Sequence, residues 1–118
     1  MAFTASTAVR NSYATVTEYA ANASVAIDFN RMDNKVIIKI RNTNDTAGMT
    51  LTTVVAAGDF MQNTLGVLTC TAAYNTNMVI GPLDSMRFKD SAGNVNITNS
   101  IAGSGTLSNV KIAIINLP

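Results

Sequence analysis

The chain has 118 residues and a formal net charge of +1, with eight Lys and Arg against seven Asp and Glu. Charged residues make up 13% of it, half the average share of roughly 25%, and polarity comes instead from 15 Thr, 14 Asn and 8 Ser. With no His and one Cys, the chain lacks the commonest metal ligand and general base, and has no partner thiol for a disulfide or a multi-Cys zinc site.

The length suits one domain. An apolar share of 47% at so low a net charge argues against intrinsic disorder. No apolar run approaches the roughly 20 residues of a membrane span, so no membrane partner is expected. A charge of +1 gives no overall field for nucleic acid, and none is expected as a partner. Met1-Ala2-Phe3-Thr4 opens without a basic or apolar leader pattern, so synthesis and first use in a cytoplasm are expected.

Residues 7–21 carry Val9, Tyr13, Val16 and Ala20 at helical spacing. The β-branched Thr15, Val16 and Thr17 and the turn-formers Asn11, Ser12 and Asn22 weigh against a helix. The segment 1–23 is expected as an extended arm or edge segment, and 24–118 as the main domain.

From residue 24 the strand signal recurs as β-branched residues in period-2 alternation. Val25, Ile27 and Phe29 alternate with Ala26 and Asp28, and Asn30–Asn34 reads as a turn. In Lys35–Arg41, Val36, Ile38 and Ile40 face one way, and Lys35, Lys39 and Arg41 the other. The polar run 42–48 reads as a loop. Strands are expected at 49–57, 68–72 and 78–80, with Gly81-Pro82 stopping the last because Pro cannot donate to a ladder. Met86 and Phe88 alternate with Arg87 and Lys89, which predicts a strand in a hairpin with 94–98. Asp90 opens its turn, and Gly93 takes the left-handed position. Residues 101–108, with Gly103 and Gly105, read as a loop. Val110, Ile112 and Ile114 make a last strand whose apolar second face predicts a central position. Seven to eight short strands with turn signals every 8 to 12 residues predict an all-β, antiparallel sandwich of Greek-key or jelly-roll type.

Little of this carries chemistry. Most acids sit in or beside turns, where Asp is favoured for local reasons. No base accompanies a Ser nucleophile, and nothing selects a carboxylate pair. Asn30–Asn34 and Asn42–Asp45 offer oxygens to calcium but lack EF-hand spacing, and read as polar turns. Cys70 has no basic neighbour in sequence and reads as a small core residue. No catalytic residue, cofactor or metal is expected. Lys35, Lys39 and Arg41 form a small basic stripe, either a solvated face or a contact for an acidic protein surface. Phe3, Tyr13 and Tyr19 either pack back on the domain or anchor a contact with another subunit. Together with Arg10, these residues are the candidate interface.

Two segments carry a family resemblance. Lys35-Val36-Ile37-Ile38-Lys39-Ile40-Arg41-Asn42-Thr43-Asn44 resembles an apolar strand followed by Lys/Arg-Asn-Thr-Asn in small tailed-phage virion proteins. Val79-Ile80-Gly81-Pro82-Leu83-Asp84-Ser85-Met86-Arg87-Phe88-Lys89 is similar to their Ile-Gly-Pro, acidic, Ser, x, Arg-Phe element, and Ile115-Asn116-Leu117-Pro118 to their terminal strand. The resemblance spans roughly residues 25–118. It implies a β-sandwich capsid decoration protein bound outside an icosahedral shell, made in the host bacterial cytoplasm and located on the virion. It also implies that the major capsid protein is the partner, that the chain is a homo-oligomer (trimer or dimer), and that there is no catalytic residue to transfer. A tail or head–tail connector protein and a carbohydrate-binding adhesin, with Tyr13, Tyr19 and Tyr74 lining a groove, are the alternatives.

Overall fold

Strict alternation makes the centre of the fold, and the first and last segments lace its side. The computed structural model describes residues 2–3, 5–10, 12–29, 35–60 and 64–117. In chain order the strands are β1 (Ala2–Phe3), β2 (Ser6–Thr7), β3 (Glu18–Ala20), β4 (Ser24–Asp28) and β5 (Val36–Asn42). They continue as β6 (Leu51–Val55), β7 (Leu68–Ala72), β8 (Thr76–Ile80), β9 (Asn94–Ile101) and β10 (Val110–Asn116). A four-residue helical turn, α1 (Ser85–Phe88), separates β8 from β9, and a 3-10 turn (Leu107–Asn109) leads into β10. The expected turn at Asn30–Asn34 lies outside the described residues.

The protein is all-β. One sheet has the order β1-β4-β9-β6-β7, and the other has β8-β5-β10 with both β2 and β3 on the far side of β10. Every pairing from β4 onward is antiparallel, whereas β1 and β2 pair parallel with β4 and β10. As its two-sided apolarity predicts, β10 lies inside its sheet, with β5 along its whole length. Val25, Ile27, Leu51, Val55, Val95 and Ile97 of the first sheet join one buried cluster with Val36, Ile38, Ile40, Ile80, Val110, Ile112 and Ile114 of the second. Fully burying such a side chain contributes about 1.5–3 kcal/mol, so these alternating positions supply most of the driving force.

Among its described residues the N-terminal segment contributes the short strands β1, β2 and β3 and no helix. Within six residues the chain passes from the first sheet at β1 to the second at β2. Phe3 turns inward beside Ile27 and is 0% exposed, with its ring stacked 4.5 Å from that of Tyr19 on β3. Two aromatic rings, one from each sheet, therefore close this side of the core.

The strand predicted at 86–89 is not formed. Asp84 accepts a hydrogen bond from the Met86 amide through Oδ1 (3.0 Å), and its carbonyl accepts those of Arg87 and Phe88 (both 3.1 Å), which winds the chain into α1. Four alternating residues are too few to distinguish a strand from one helical turn, and the aspartate at the turn's start decides it. Only an isolated bridge, Lys89 to Val95, remains of the expected hairpin, and β9 pairs with β4 and β6. The turn chemistry holds: the Gly93 amide donates to the Asp90 carbonyl (3.1 Å), and Gly93 adopts φ +86°.

Candidate functional site

The ionisable side chains are mostly spent on the fold. Asp90 Oδ1 accepts the amides of Ala92 and Asn94 (both 2.9 Å), and its Oδ2 accepts the Asn96 side chain (2.8 Å). The Asn94 amide, then the Asn96 side chain, hold its carboxyl below the usual aspartate value. Asp59 accepts the Ser91 amide (2.9 Å), and Asp84 begins α1. Arg87 donates to the carbonyls of Leu65, Gly66 and Val67 while its guanidinium lies 4.6 Å from the Phe88 ring centre. Among the described residues, no three His, Cys, Asp or Glu converge as a metal site would require. Cys70 packs half-buried against the core, and burial raises its thiol pKa, favouring the protonated form.

The Asn-Thr-Asn element does not form the exposed loop its polarity predicts. Asn42 and Asn44 are buried. The Asn42 side-chain amide donates to the carbonyls of Met49 (3.0 Å), Ala72 (3.2 Å) and Ala73 (3.2 Å). Its Oδ1 accepts the backbone amide (3.2 Å) and side chain (2.9 Å) of Asn44. Asn44 donates to the Thr106 carbonyl and accepts the Thr106 amide (both 3.1 Å), while Thr43 donates to the Asn109 carbonyl through its backbone amide and hydroxyl. Three connections are thus tied to the end of β5. The available signal was phase, since Asn42 continues the inward series Val36, Ile38, Ile40. In the second family-like element, Leu83 and Phe88 enter the core while Gly81 adopts φ +106°. Both elements build the fold.

The two outward sheet faces differ in chemistry. On the first, register aligns Thr71, Thr52 and Ser100 in one row, and Thr69, Val54, Thr98 and Ser24 in the next. Asn96 and Ala26, then Asn94 and Asp28, complete it. Among the described residues in these rows Asp28 is the one ionisable side chain, and Asp90 reaches the face through Asn96.

The second face carries cations among aliphatic side chains. Its rows are Asn77, Arg41, Lys111 and Ala20, then Val79, Lys39, Ala113 and Glu18, then Ile37 and Ile115. Arg41 reaches across β10 to Glu18 with two hydrogen bonds (2.9 and 3.2 Å), the one ion pair among the described residues. Ala113 lies beside this crossing and is 1% exposed despite facing outward. Lys111 turns to the Ser108 carbonyl (3.0 Å), which eases the like-charge pairing with Arg41 directly opposite. Lys39 is exposed, as is Lys35 just before β5. The described residues of the loop after β2, 8–10 and 12–17, leave an open groove of about 200 Å³ where Val9, Ala14 and Val16 approach Ile115.

The structure thus brings Lys39 and Arg41 together on one face, with Lys35 at its margin and Arg10 and the 89%-exposed Tyr13 in the adjoining loop. It separates Phe3 and Tyr19 from them. Phe3, named in the candidate interface with packing on the domain as its alternative, is a core residue, because its ring lies in the buried cluster stacked on Tyr19. The three tyrosines considered for an adhesin groove do not meet: Tyr19 stacks on Phe3, Tyr13 lies in the 8–17 loop, and Tyr74 lies in the turn after β7. Sequence reasoning missed Val79, Ile115 and Val16 as surface residues, since alternation marks a residue's face but not whether another layer covers it. Comparison with protein-family models, with curated proteins and with solved structures finds no match to this chain.

Proposed function

We propose that this chain is a structural virion protein that decorates and stabilises the outside of a tailed-phage capsid by binding the lattice of the major capsid protein. In this reading it is a β-sandwich of Greek-key or jelly-roll connectivity that works as a dimer or trimer without catalysis or a cofactor. The observation that carries it is the role of the two family-like elements. Asn42 and Asn44 tie three connections together, and Gly81 to Phe88 carry the chain from one sheet to the other. The resemblance therefore rests on residues that determine the backbone rather than on interchangeable surface positions. The connectivity supports the sandwich, since from β4 to β10 only β6 and β7 are successive strands within one sheet. The commitment of Asp59, Asp84, Asp90 and Arg87 to turns and carbonyls supports a binding role over a chemical one.

Quantitative mass spectrometry of purified virions of the encoding phage tests the proposal. The expected result is a fixed ratio of this chain to the major capsid protein through density-gradient fractions. Recovery in infected-cell lysate but not in virions overturns it. Recovery with tails separated from heads moves the protein to the tail.

A further inference from the structure

We propose that the outward face of the second sheet, with the adjoining residues 8–10 and 12–17, is the surface that docks, and that it docks on an acidic protein surface. The first sheet's Thr- and Ser-rich face stays in solvent. This deepens the capsid reading above and rests on it.

Charge segregation is the first argument. The net charge is +1, yet among the described residues Arg10, Lys35, Lys39, Arg41 and Lys111 gather on this face, its margin and its adjoining loop, with Glu18 as the one acid in its rows. Among the described residues, Asp28 lies on the first sheet, and Asp45, Asp59, Asp84 and Asp90, with Arg87 and Lys89, lie in connections between strands rather than in the rows of this face. A nearly neutral molecule thus has one distinctly cationic side, which steers an acidic partner to it and repels a basic one.

Preorganisation is the second. Glu18 holds the Arg41 guanidinium with two hydrogen bonds, and Ser108 holds the Lys111 ammonium. Side chains already fixed lose less freedom on binding than ones that must be immobilised at the interface. Lys39, between Val79 and Ala113 in its row, makes no ion pair among the described residues and is free to meet a carboxylate.

The apolar component is the third, and it favours protein over nucleic acid. Val79 is 61% exposed beside Lys39, and Val9, Tyr13 and Val16 are exposed in the loop. Aliphatic side chains interleaved with a few cations fit a protein interface, which buries an apolar centre within a polar rim. A phosphate backbone rewards cations but not Val79 or Val16.

Heads lacking this protein, prepared from a phage deleted for its gene, provide the test. Full-length wild type, Lys39→Glu/Lys111→Glu, and Thr71→Glu/Thr98→Glu would be titrated onto them and bound protein measured by co-sedimentation. Thermal unfolding within a few degrees of wild type would establish that each variant folds. The expected result is about a tenfold or greater loss of affinity for the lysine variant and no more than about a twofold change for the threonine variant. Wild-type affinity should also fall on raising NaCl from about 50 to 300 mM, as screening predicts. Equal binding by wild type and the lysine variant, or selective loss in the threonine variant, overturns the inference and leaves the capsid reading standing. Heads that bind none of the three proteins overturn both. Wild-type binding to random-sequence duplex DNA as tight as to heads assigns the face to nucleic acid and overturns the inference.

Discussion

Replacing Asn42 with Ala should unfold the end of the molecule where three connections meet. The Asn42 amide group has two protons, which three carbonyls at 3.0–3.2 Å share, and its oxygen holds both nitrogens of Asn44. A net contribution of about 1 kcal/mol per bond, raised where a buried group is left unpaired, gives a loss of about 3–4 kcal/mol. For a chain this long, unfolding entropy converts each kcal/mol into about 4 °C, so the melting temperature should fall by about 12–16 °C. Differential scanning calorimetry reads this directly, with Thr69→Ala on the outer face of the first sheet as a control expected to stay within about 0.5 kcal/mol. Because Asn42 and Asn44 share bonds, the double alanine variant should cost less than the sum of the two single variants. A shift for Asn42→Ala no larger than the Thr69→Ala control would refute the claim that this amide organises the connections.

Two further outcomes follow from local geometry. A Cβ at Gly58 would lie 2.2 Å from the Lys89 carbonyl oxygen, with backbone bonds to Arg87 and Lys89 on both sides preventing retreat. Gly58→Ala should therefore cost about 3 kcal/mol or leave the chain insoluble, whereas Gly66→Ala, at φ +79° with open space around it, should cost about 1–2 kcal/mol in urea unfolding. Equal midpoints for the two variants would contradict the close approach. The lowered pKa of Asp90 makes a pH prediction. A carboxyl depressed on folding stabilises the native state above its unfolded pKa of about 3.9, and that contribution disappears as pH falls through the folded value. The stability gap between wild type and Asp90→Asn should be level above about pH 5 and narrow toward pH 2, and a gap that stays constant would remove the assigned role.

What the sequence made legible was whatever period-2 alternation encodes. The inward faces of β4, β5, β6 and β10, the central place of β10 and the basic stripe of β5 all follow from residues two apart. Elements fixed by single side chains or distant partners were hidden. α1 depends on one aspartate, and the two-residue strands β1 and β2 exist only because β4 and β10 offer them an edge. The placement of the candidate interface residues divides for the same reason. Lys39 and Arg41 share a face because they share a strand parity, whereas the burial of Phe3 depends on Tyr19, sixteen positions away and in the other sheet.

The pairing of Ser6 with Ile115 has a consequence for how the molecule comes into being on the ribosome. β10 is the shared partner of β2, β3 and β5, and it is synthesised after all of them. Until residues 110–116 emerge from the exit tunnel, β2 and β3 have no strand to join and Tyr19 has no finished wall to pack against. Completion therefore waits on residues 110–116 and depends on pairings as distant in sequence as Ser6 with Ile115, the class of topology that folds in milliseconds to seconds rather than microseconds. A chain truncated before β10 would leave one edge of β5 unpaired along its whole length, take Val110, Ile112 and Ile114 from the core, and be a substrate for chaperones and proteases rather than a smaller version of the same fold.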